Sequence, residues 1–361
     1  LARVYFAQQA EICYSICRNA IIFSVKIAEL GEFGLIDILS GMAAASGKQP
    51  PLSRRKLLIG IGDDAAAWQC DAAVDLATVD SLIQNVHFSL ETTSWYELGW
   101  KALAVNLSDI AAMGGVPDFA LVSLSLPGDI EVADVEQFGR GMLDMAEQHG
   151  VTIIGGDTCR APLVSVAVTV LGNAANRERL LRRSGARPGD KIAVTGYLGG
   201  AAGGFEMLAK GLKLPLESAE ALRKALLLPQ PRIAEGGLLV GEGVRTAIDV
   251  SDGLLADLAH ICHSSAVSAK VRVDRIPVHP ALMGNFPPEK VLELALSGGE
   301  DYELLFTADA ETMEKVRVAA TSPVSVIGRI EEGEAGVVRL IDINENPVRM
   351  PKAGWEHFKT E

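Results

Sequence analysis

Ile248-Asp249-Val250-Ser251-Asp252-Gly253-Leu254 places two carboxylates and a hydroxyl at the point where a short apolar run gives way to an amphipathic one. The spacing predicts a buried strand that delivers Asp249 at its end, followed by a helix over 251–264. Ser251 is then the expected cap of that helix and Asp252 lies in its first turn, so both acids converge at one helix N-terminus. A strand passing into a helix through such a turn is the building unit of an α/β fold. A plain capping motif without chemistry is the competing reading of this segment taken alone.

Other stretches repeat the chemistry. Ile61-Gly-Asp-Asp64, Thr78-Val-Asp80, Asn106-Leu-Ser-Asp109 and Gly155-Gly-Asp157-Thr each set a carboxylate among small or apolar neighbours. They are expected at strand ends like Asp249, the exception being Asp109 in a helical, apolar run. An ionised carboxylate is costly to bury unless a cation or hydrogen-bond donors compensate it, so recurrence in five settings points to a shared cation cluster. Several Mg²⁺ ions carrying a nucleotide suit this number of acids, because each ion retains waters and takes only one or two carboxylates. A glycosidase-type pair needs only two partners and fits less well. For Asp109 the alternative is an exposed polar stripe formed with Asn106 at i,i+3.

The chain of 361 residues exceeds one ordinary core, which favours two domains. Its 48% hydrophobic and 22% charged residues are a globular composition, and the formal charge of −13 argues against a nucleic-acid surface. An anionic small substrate remains compatible if metal ions bridge it to the acids. Cys13, Cys17, Cys70, Cys159 and Cys262 are odd in number and lack Cys-x-x-Cys spacing, which reads as a reducing cytoplasm rather than a disulfide framework or zinc site. The apolar run at 20–30 is too short to span a membrane and is interrupted by Lys26 and Glu29. Residues 1–30 are expected to be an extension outside the core fold, with an amphipathic partner-binding helix as the alternative.

Hydrophobic periodicity organises the rest. A short helix-like pattern over 32–47 leads into a Gly/Pro/Ser-rich, basic loop at 46–56 that is expected to be mobile. Short buried strands are expected at 57–62 and 73–79, helices at 95–113 and 132–149, and strands at 120–126, 151–154 and 164–171. The composition shifts near residue 175, after which a second series begins with a strand at 191–195 and a Gly-rich turn at 196–204 that starts a tightly packed helix. A helix at 222–228 ends at Pro229. The expected division is 31–175 for an N-terminal nucleotide and metal-binding half and 176–361 for a C-terminal half that completes the site.

The ordinary phosphate loop is missing. Gly41-Met-Ala-Ala-Ala-Ser-Gly47-Lys48-Gln49 imitates one, but its glycines are separated by five residues and Gln49 stands where a hydroxyl is needed. The run 196–204 also lacks Gly-x-Gly-x-x-Gly spacing. ATP is therefore expected to be held through metals and scattered groups. His87, as a lone His, reads more readily as a solvated or core residue than as a ligand contact. Glu300 and Asp301 read equally as a ligand contact or a simple turn, and Trp355 reads as an exposed anchor or a ring stacked on a heterocycle.

Taken together, Gly31-Glu-Phe-Gly-Leu-Ile, Ile61-Gly-Asp-Asp-Ala, Val86-His-Phe, Lys101-Ala-Leu-Ala-Val-Asn-Leu-Ser-Asp-Ile-Ala-Ala-Met-Gly, Gly155-Gly-Asp-Thr, Arg183-Ser-Gly-Ala, Ile248-Asp-Val-Ser-Asp-Gly-Leu, Ser297-Gly-Gly-Glu-Asp-Tyr-Glu-Leu and Gly354-Trp-Glu-His-Phe resemble the thiamine-monophosphate kinase family. That family belongs to the aminoimidazole-ribonucleotide synthetase superfamily, and the segments occur in its order from 31 to 358. The resemblance implies a two-domain α/β (α+β-type) fold whose N-terminal halves pair their mixed sheets into a shared barrel in a homodimer. It also implies cytoplasmic, ATP-dependent phosphorylation of thiamine monophosphate, the last step of thiamine diphosphate biosynthesis, with no nucleic-acid or membrane partner.

Carried over by position, Asp64, Thr78, Asp80, Asp109, Asp157, Asp249 and Asp252 would bind Mg²⁺. Gly156, Arg183 and Ser251 would contact ATP, and His87, Glu300 and Trp355 would hold the acceptor. Asp252 and Arg183 would carry the catalytic roles. Two departures stand out: Val79 replaces a hydroxyl residue, and Leu198-Gly-Gly-Ala replaces Leu-Gly-Asp-Ser. Alternatives are a superfamily member with another acceptor, or a non-catalytic nucleotide-binding regulator. A selenophosphate synthetase would need a reactive Cys in a Gly-rich N-terminal segment, and the hydrogenase-maturation relatives end in a Cys, whereas this chain ends Phe358-Lys-Thr-Glu361.

Overall fold

The computed structural model describes residues 74–175 and 177–348, with short pieces at 38, 41–42, 56–59 and 67–69. The extension over 1–30, the Gly31 segment, Asp64 and Trp355 lie outside the described residues. Gly41 and Met42, in the phosphate-loop look-alike, are helical.

Strands β1 (Lys56–Ile59) and β2 (Ala67–Gln69) pair antiparallel. The first large sheet joins β3 (Val74–Ile83), β4 (Val116–Leu126), β5 (Thr152–Arg160) and β6 (Ser165–Ala174) in the order β3-β6-β4-β5. Only β4 and β5 are parallel, and the crossover between them is helix α2 (Val132–His149). Its buried Val135, Phe138, Met142 and Met145 recur at three and four positions, and Gly150 ends it in the left-handed region at φ 68°. Val166, Val168 and Val170 of β6 turn inward and are fully buried, so one face of this sheet is covered and the other is open.

Helix α1 (Trp95–Ala112) lies against the covered face. Ser94 and Glu97 form a capping box at its start: the Glu97 amide donates to Ser94 Oγ and the Ser94 amide to Glu97 Oε2. Every residue from Glu97 to Ala112 is buried except Asp109. Burial of Leu98, Leu103 and Leu107 contributes roughly 1.5–3 kcal/mol each.

The second sheet has seven strands in the order β13-β12-β9-β11-β7-β10-β8, from β7 (Lys191–Thr195), β8 (Thr246–Asp249), β9 (Ser268–Arg272), β10 (Leu304–Ala308), β11 (Val324–Glu331), β12 (Val338–Ile341) and β13 (Pro347–Val348). β12 and β9 are parallel and the other neighbours antiparallel, so both large sheets are mixed. Helices α3 (Gly200–Lys210), α4 (Leu216–Leu227), α5 (Ile233–Gly241), α6 (Leu254–Ser264), α7 (Pro288–Ser297) and α8 (Ala310–Ala319) complete this half.

Several expected boundaries move. α4 begins directly after Pro215, six residues before the expected start, because Pro215 supplies the extended entry. β3 runs ten residues and its odd positions are exposed, so it is a long edge strand rather than a short buried one. β5 continues through Gly155-Gly156-Asp157 where a strand end was expected. The glycine at 156 answers to its neighbour, since a Cβ there would sit 1.9 Å from the Val122 carbonyl oxygen of β4.

α1 and α2 approach through a reciprocal pair of glycines. A Cβ on Gly99 would lie 1.9 Å from the Phe138 carbonyl oxygen, and one on Gly141 would lie 1.9 Å from that of Tyr96. Overpacking of such a contact costs about 1–3 kcal/mol and forces the helices apart. Gly141→Ala is therefore expected to lower the thermal midpoint by about 4 °C or more in a calorimetric scan, while Gly237→Ala, on open space, leaves it within about 2 °C.

Candidate active site

β3 and α1 bring the first acids together. Alternation turns Thr78 and Asp80 to the α1 side of the sheet, opposite Val170 and Val168 of β6. Thr78 Oγ1 donates to Asp109 Oδ2 at 2.5 Å, and the Asp80 amide donates to Asn106 Oδ1 at 2.9 Å. Asn106 and Asp109 do form an i,i+3 stripe, but it faces β3 rather than solvent, and Asn106 is fully buried. Val79 points the other way and is 61% exposed on the open face. The hydroxyl lost at this position is therefore not missing from the acid side.

The second half adds its acids through the junction that opened the sequence. Asp249 ends β8, is buried, and accepts from Ser108 Oγ of α1 at 2.7 Å. The helix after it starts at Leu254 rather than Ser251, with Gly253 at its N-cap position at φ 114°. Ser251 makes no capping bond and Asp252 lies in the turn before the helix. The capping work belongs to Asp257, whose Oδ2 accepts from the amides of Ser251, Asp252 and Gly253 at 3.1–3.2 Å. One carboxylate thus curls the loop that presents Asp252.

Residues 182–186 run beside β8. The Arg182 amide donates to the Arg245 carbonyl and the Ala247 amide to that of Arg182, while Ser265 Oγ accepts from the amides of Gly185 and Ala186. Arg183 comes close enough for its charge to stabilise the ionised forms of Asp109 and Asp249.

The electrostatics carry the mark of crowding. Desolvation, with repulsion from Asp109 and Asp252, raises Asp80 to about 6 although it keeps access to solvent. Burial, then Asp109 and Asp80, raises Asp249 to about 7. Asp109 also rises, through burial opposed by Thr78 and Arg183. Asp257, set in the apolar stripe of α6, is pushed up to about 8 by burial and by Asp249 and Asp252. Among the described residues no three of these side chains already surround one metal-binding point. Oxygen donors that repel one another across a partly open cleft nevertheless suit divalent cations that keep waters and share a ligand's phosphates.

The remaining expectations separate. Asp157 pairs with Ser123 on the open face of β5, the edge opposite β3. Three strand spacings, about 14 Å, and the sheet itself lie between Asp157 and Asp80. His87 follows the end of β3, and its Nδ1 accepts from the Ile83 amide at 3.1 Å. Glu300 lies in a loop whose amides at Glu300 and Tyr302 donate to the carbonyls of Ser251 and Val250, with Glu300 and Tyr302 at φ 68° and 51°. Asp301 is structural: it accepts from the amides of Gly199 and Ala201 at the start of α3. Those two bonds fill the Leu198-Gly-Gly-Ala turn, where a Cβ on Gly200 would press within 2.8 Å of His279.

Composition and spacing gave no sign of Lys101, Ser108, Asp257 or Glu303. Glu303, at the base of the loop, accepts from Thr195 and pairs with Arg232. Polarity inside an apolar run was the available signal for Lys101 and Ser108.

Residues 62–174 match the family described as AIR synthase related protein, N-terminal domain, and residues 187–341 its C-terminal domain. The two matches, in chain order, therefore define an AIR synthase related protein. Thiamine-monophosphate kinase of Escherichia coli K12 is 38% identical over 313 residues, covering 85% of this chain and 94% of that one. The crystal structure of thiamine-monophosphate kinase from Stenotrophomonas maltophilia K279a superposes with a TM-score of 0.76 at 41% identity, covering 84% of this chain and 95% of that one. AaThiL complexed with AMPPCP and TMP gives 0.70 at 33% identity, covering 93% and 100%. The chain belongs to the thiamine-monophosphate kinase family.

The raised carboxylates fix the pH response of the metal-free protein. An unfolded Asp ionises near 3.8 whereas Asp80 and Asp249 hold their protons to about 6 and 7. Between those values the folded state binds more protons, so this cluster makes stability fall as pH rises from about 4 to about 7. Asp249→Asn keeps an acceptor for Ser108 and removes the charge. Its thermal midpoint with chelator at pH 7.5 is expected to exceed that of the parent, and a lower midpoint would contradict the crowding.

Proposed function

We propose that the protein transfers the γ-phosphoryl group of ATP to thiamine monophosphate, giving thiamine diphosphate and ADP. The observation that carries this reading is the joining of Thr78, Asp80 and Asp109 from one half to Asp249 and Asp252 from the other, in a family whose member AaThiL was solved with AMPPCP and TMP.

Asp64, Thr78, Asp80, Asp109, Asp249 and Asp252 would hold Mg²⁺. Asp157 is kept in that set on the resemblance alone, given its opposite edge and face. Bound Mg²⁺ supplies charge neutralisation of the triphosphate and polarisation of the transferred group. Arg183 would stabilise negative charge on the nucleotide, and Gly156 and Ser251 would also contact it. The nucleophile is a phosphate oxygen of the acceptor, already ionised near neutral pH, so a strong general base is unnecessary. Alignment and charge compensation then supply most of the rate. His87, Glu300 and Trp355 would hold the acceptor.

The working form is a cytoplasmic homodimer. The open face of the first sheet, with Val79 and Ile83 exposed, offers the surface for it. No helix among the described residues is long and apolar enough to cross a membrane.

An ADP-release assay with thiamine monophosphate, free thiamine and aminoimidazole ribonucleotide precursors tests the assignment. ADP is expected only with the monophosphate; release with another acceptor alone, or nucleotide binding without turnover, would replace this reading. Asp252→Asn is expected to lower kcat by about tenfold or more with an unchanged thermal midpoint. Near-parental turnover at saturating Mg²⁺ would remove Asp252 from the metal set.

A further inference from the structure

Lys101 is one of the largest fully buried side chains among the described residues. It sits in the middle of α1, only 2% of its side chain reaches solvent, and its Nζ lies 2.7 Å from Glu300 Oε1. Glu300 is one-third exposed. The pair is therefore a one-sided dipole, with its positive end sealed inside the helix packing and its negative end at the surface of the loop.

An ammonium is rarely enclosed without a partner that requires it. Here the partner stands in a crowded acidic field. Asp80, Asp109, Asp249 and Glu300 all act on the buried phenol of Tyr302, two residues along the loop, so Glu300 shares the neighbourhood of the acid cluster. Without the Lys101 ion pair, a carboxylate one-third exposed beside other acids would be free to swing out to water. The backbone at Glu300 is also in the left-handed region, at φ 68°, a strained conformation for a residue that carries a Cβ.

What such a dipole receives follows from its sign. A carboxylate held at the surface repels a phosphate monoester and attracts a fixed cation. The acceptor proposed above has both, a phosphate at one end and a thiazolium ring at the other. With its phosphate directed to the metal side, its ring is the end that a carboxylate can hold. We propose that Lys101 is a positioning residue whose ion pair holds Glu300 aimed so that Glu300 receives the cationic ring of the acceptor. The inference rests on the thiamine monophosphate reading and adds a specific device to it.

The test is a double-mutant cycle on the full chain, with kinetics and with titration calorimetry of thiamine monophosphate in the presence of a nonhydrolysable ATP analogue and Mg²⁺. Lys101→Met and Glu300→Gln are each expected to raise the acceptor KM and Kd by about tenfold, leave the ATP KM within about twofold, and lower kcat much less. The double variant leaves no charge unpaired, which keeps the fold accessible if Lys101→Met alone unfolds. It is expected to bind no worse than the weaker single variant, and Lys101→Arg is expected to recover part of the loss. Multiplying effects in the double variant, or an acceptor KM that Lys101→Met leaves unchanged, would overturn the assignment. Absence of thiamine monophosphate turnover in the unmutated protein would instead overturn the activity itself.

Discussion

The enclosure of α1 is the constraint on which the rest of the molecule depends. Polar groups inside such a helix must find partners or cost stability, and the partners decide where everything else sits. Glu97, Lys101 and Ser108 fall within about 40° of one another around the axis and span about 16 Å along it. All three reach into the second half, to Arg223, Glu300 and Asp249. The helix thereby sets the register between two sheets that share no strand pairing. Close packing makes this possible, with Gly99 against α2 and Gly236 of α5 within reach of the Ala111 carbonyl. Asp109 is the residue left out of the enclosure, and it opens toward the acids of the other half.

Around that helix the site is assembled by side chains bonded to the protein's own backbone and side chains. Asp257 folds the loop bearing Asp252, Asp301 anchors the turn that begins α3, and Glu303 with Arg232 braces the loop between them. Each satisfies backbone or side-chain donors that would otherwise be stranded beneath the cleft. The acids above therefore keep their geometry against mutual repulsion without needing it to be relieved.

Legibility in the sequence followed the range of the interaction. α2 and β7 were readable to the residue, because local periodicity and a C-terminal glycine define them. The acidic motifs were readable as chemistry, since carboxylates among apolar residues have few explanations. Their placement was legible only in part: Asp109 lies in the helix expected for it, but Asp80 and Asp157 lie inside strands rather than at strand ends. Ser251 looked like a cap because its neighbours fit the pattern, but a carboxylate six residues later reached back and took the donors. Lys101 showed only as a charge inside an apolar run, its role hidden because its partner is 199 positions away by difference of residue numbers. Whether a polar residue faces water, a ligand or another half is decided by tertiary contacts that no window of sequence contains. Val79 shows the converse, since simple alternation puts it on the open face, away from the acids beside it.

Burial, with repulsion from neighbouring carboxylates, raises Asp80 to about 6 and Asp249 to about 7. A cation settling among them must displace the protons they hold, so its association strengthens with pH and releases acid into the medium. The heat measured for that association will then vary with the ionisation enthalpy of the buffer. The crowded carboxylates would thus act as a proton reservoir, discharged in proportion to any cation bound among them.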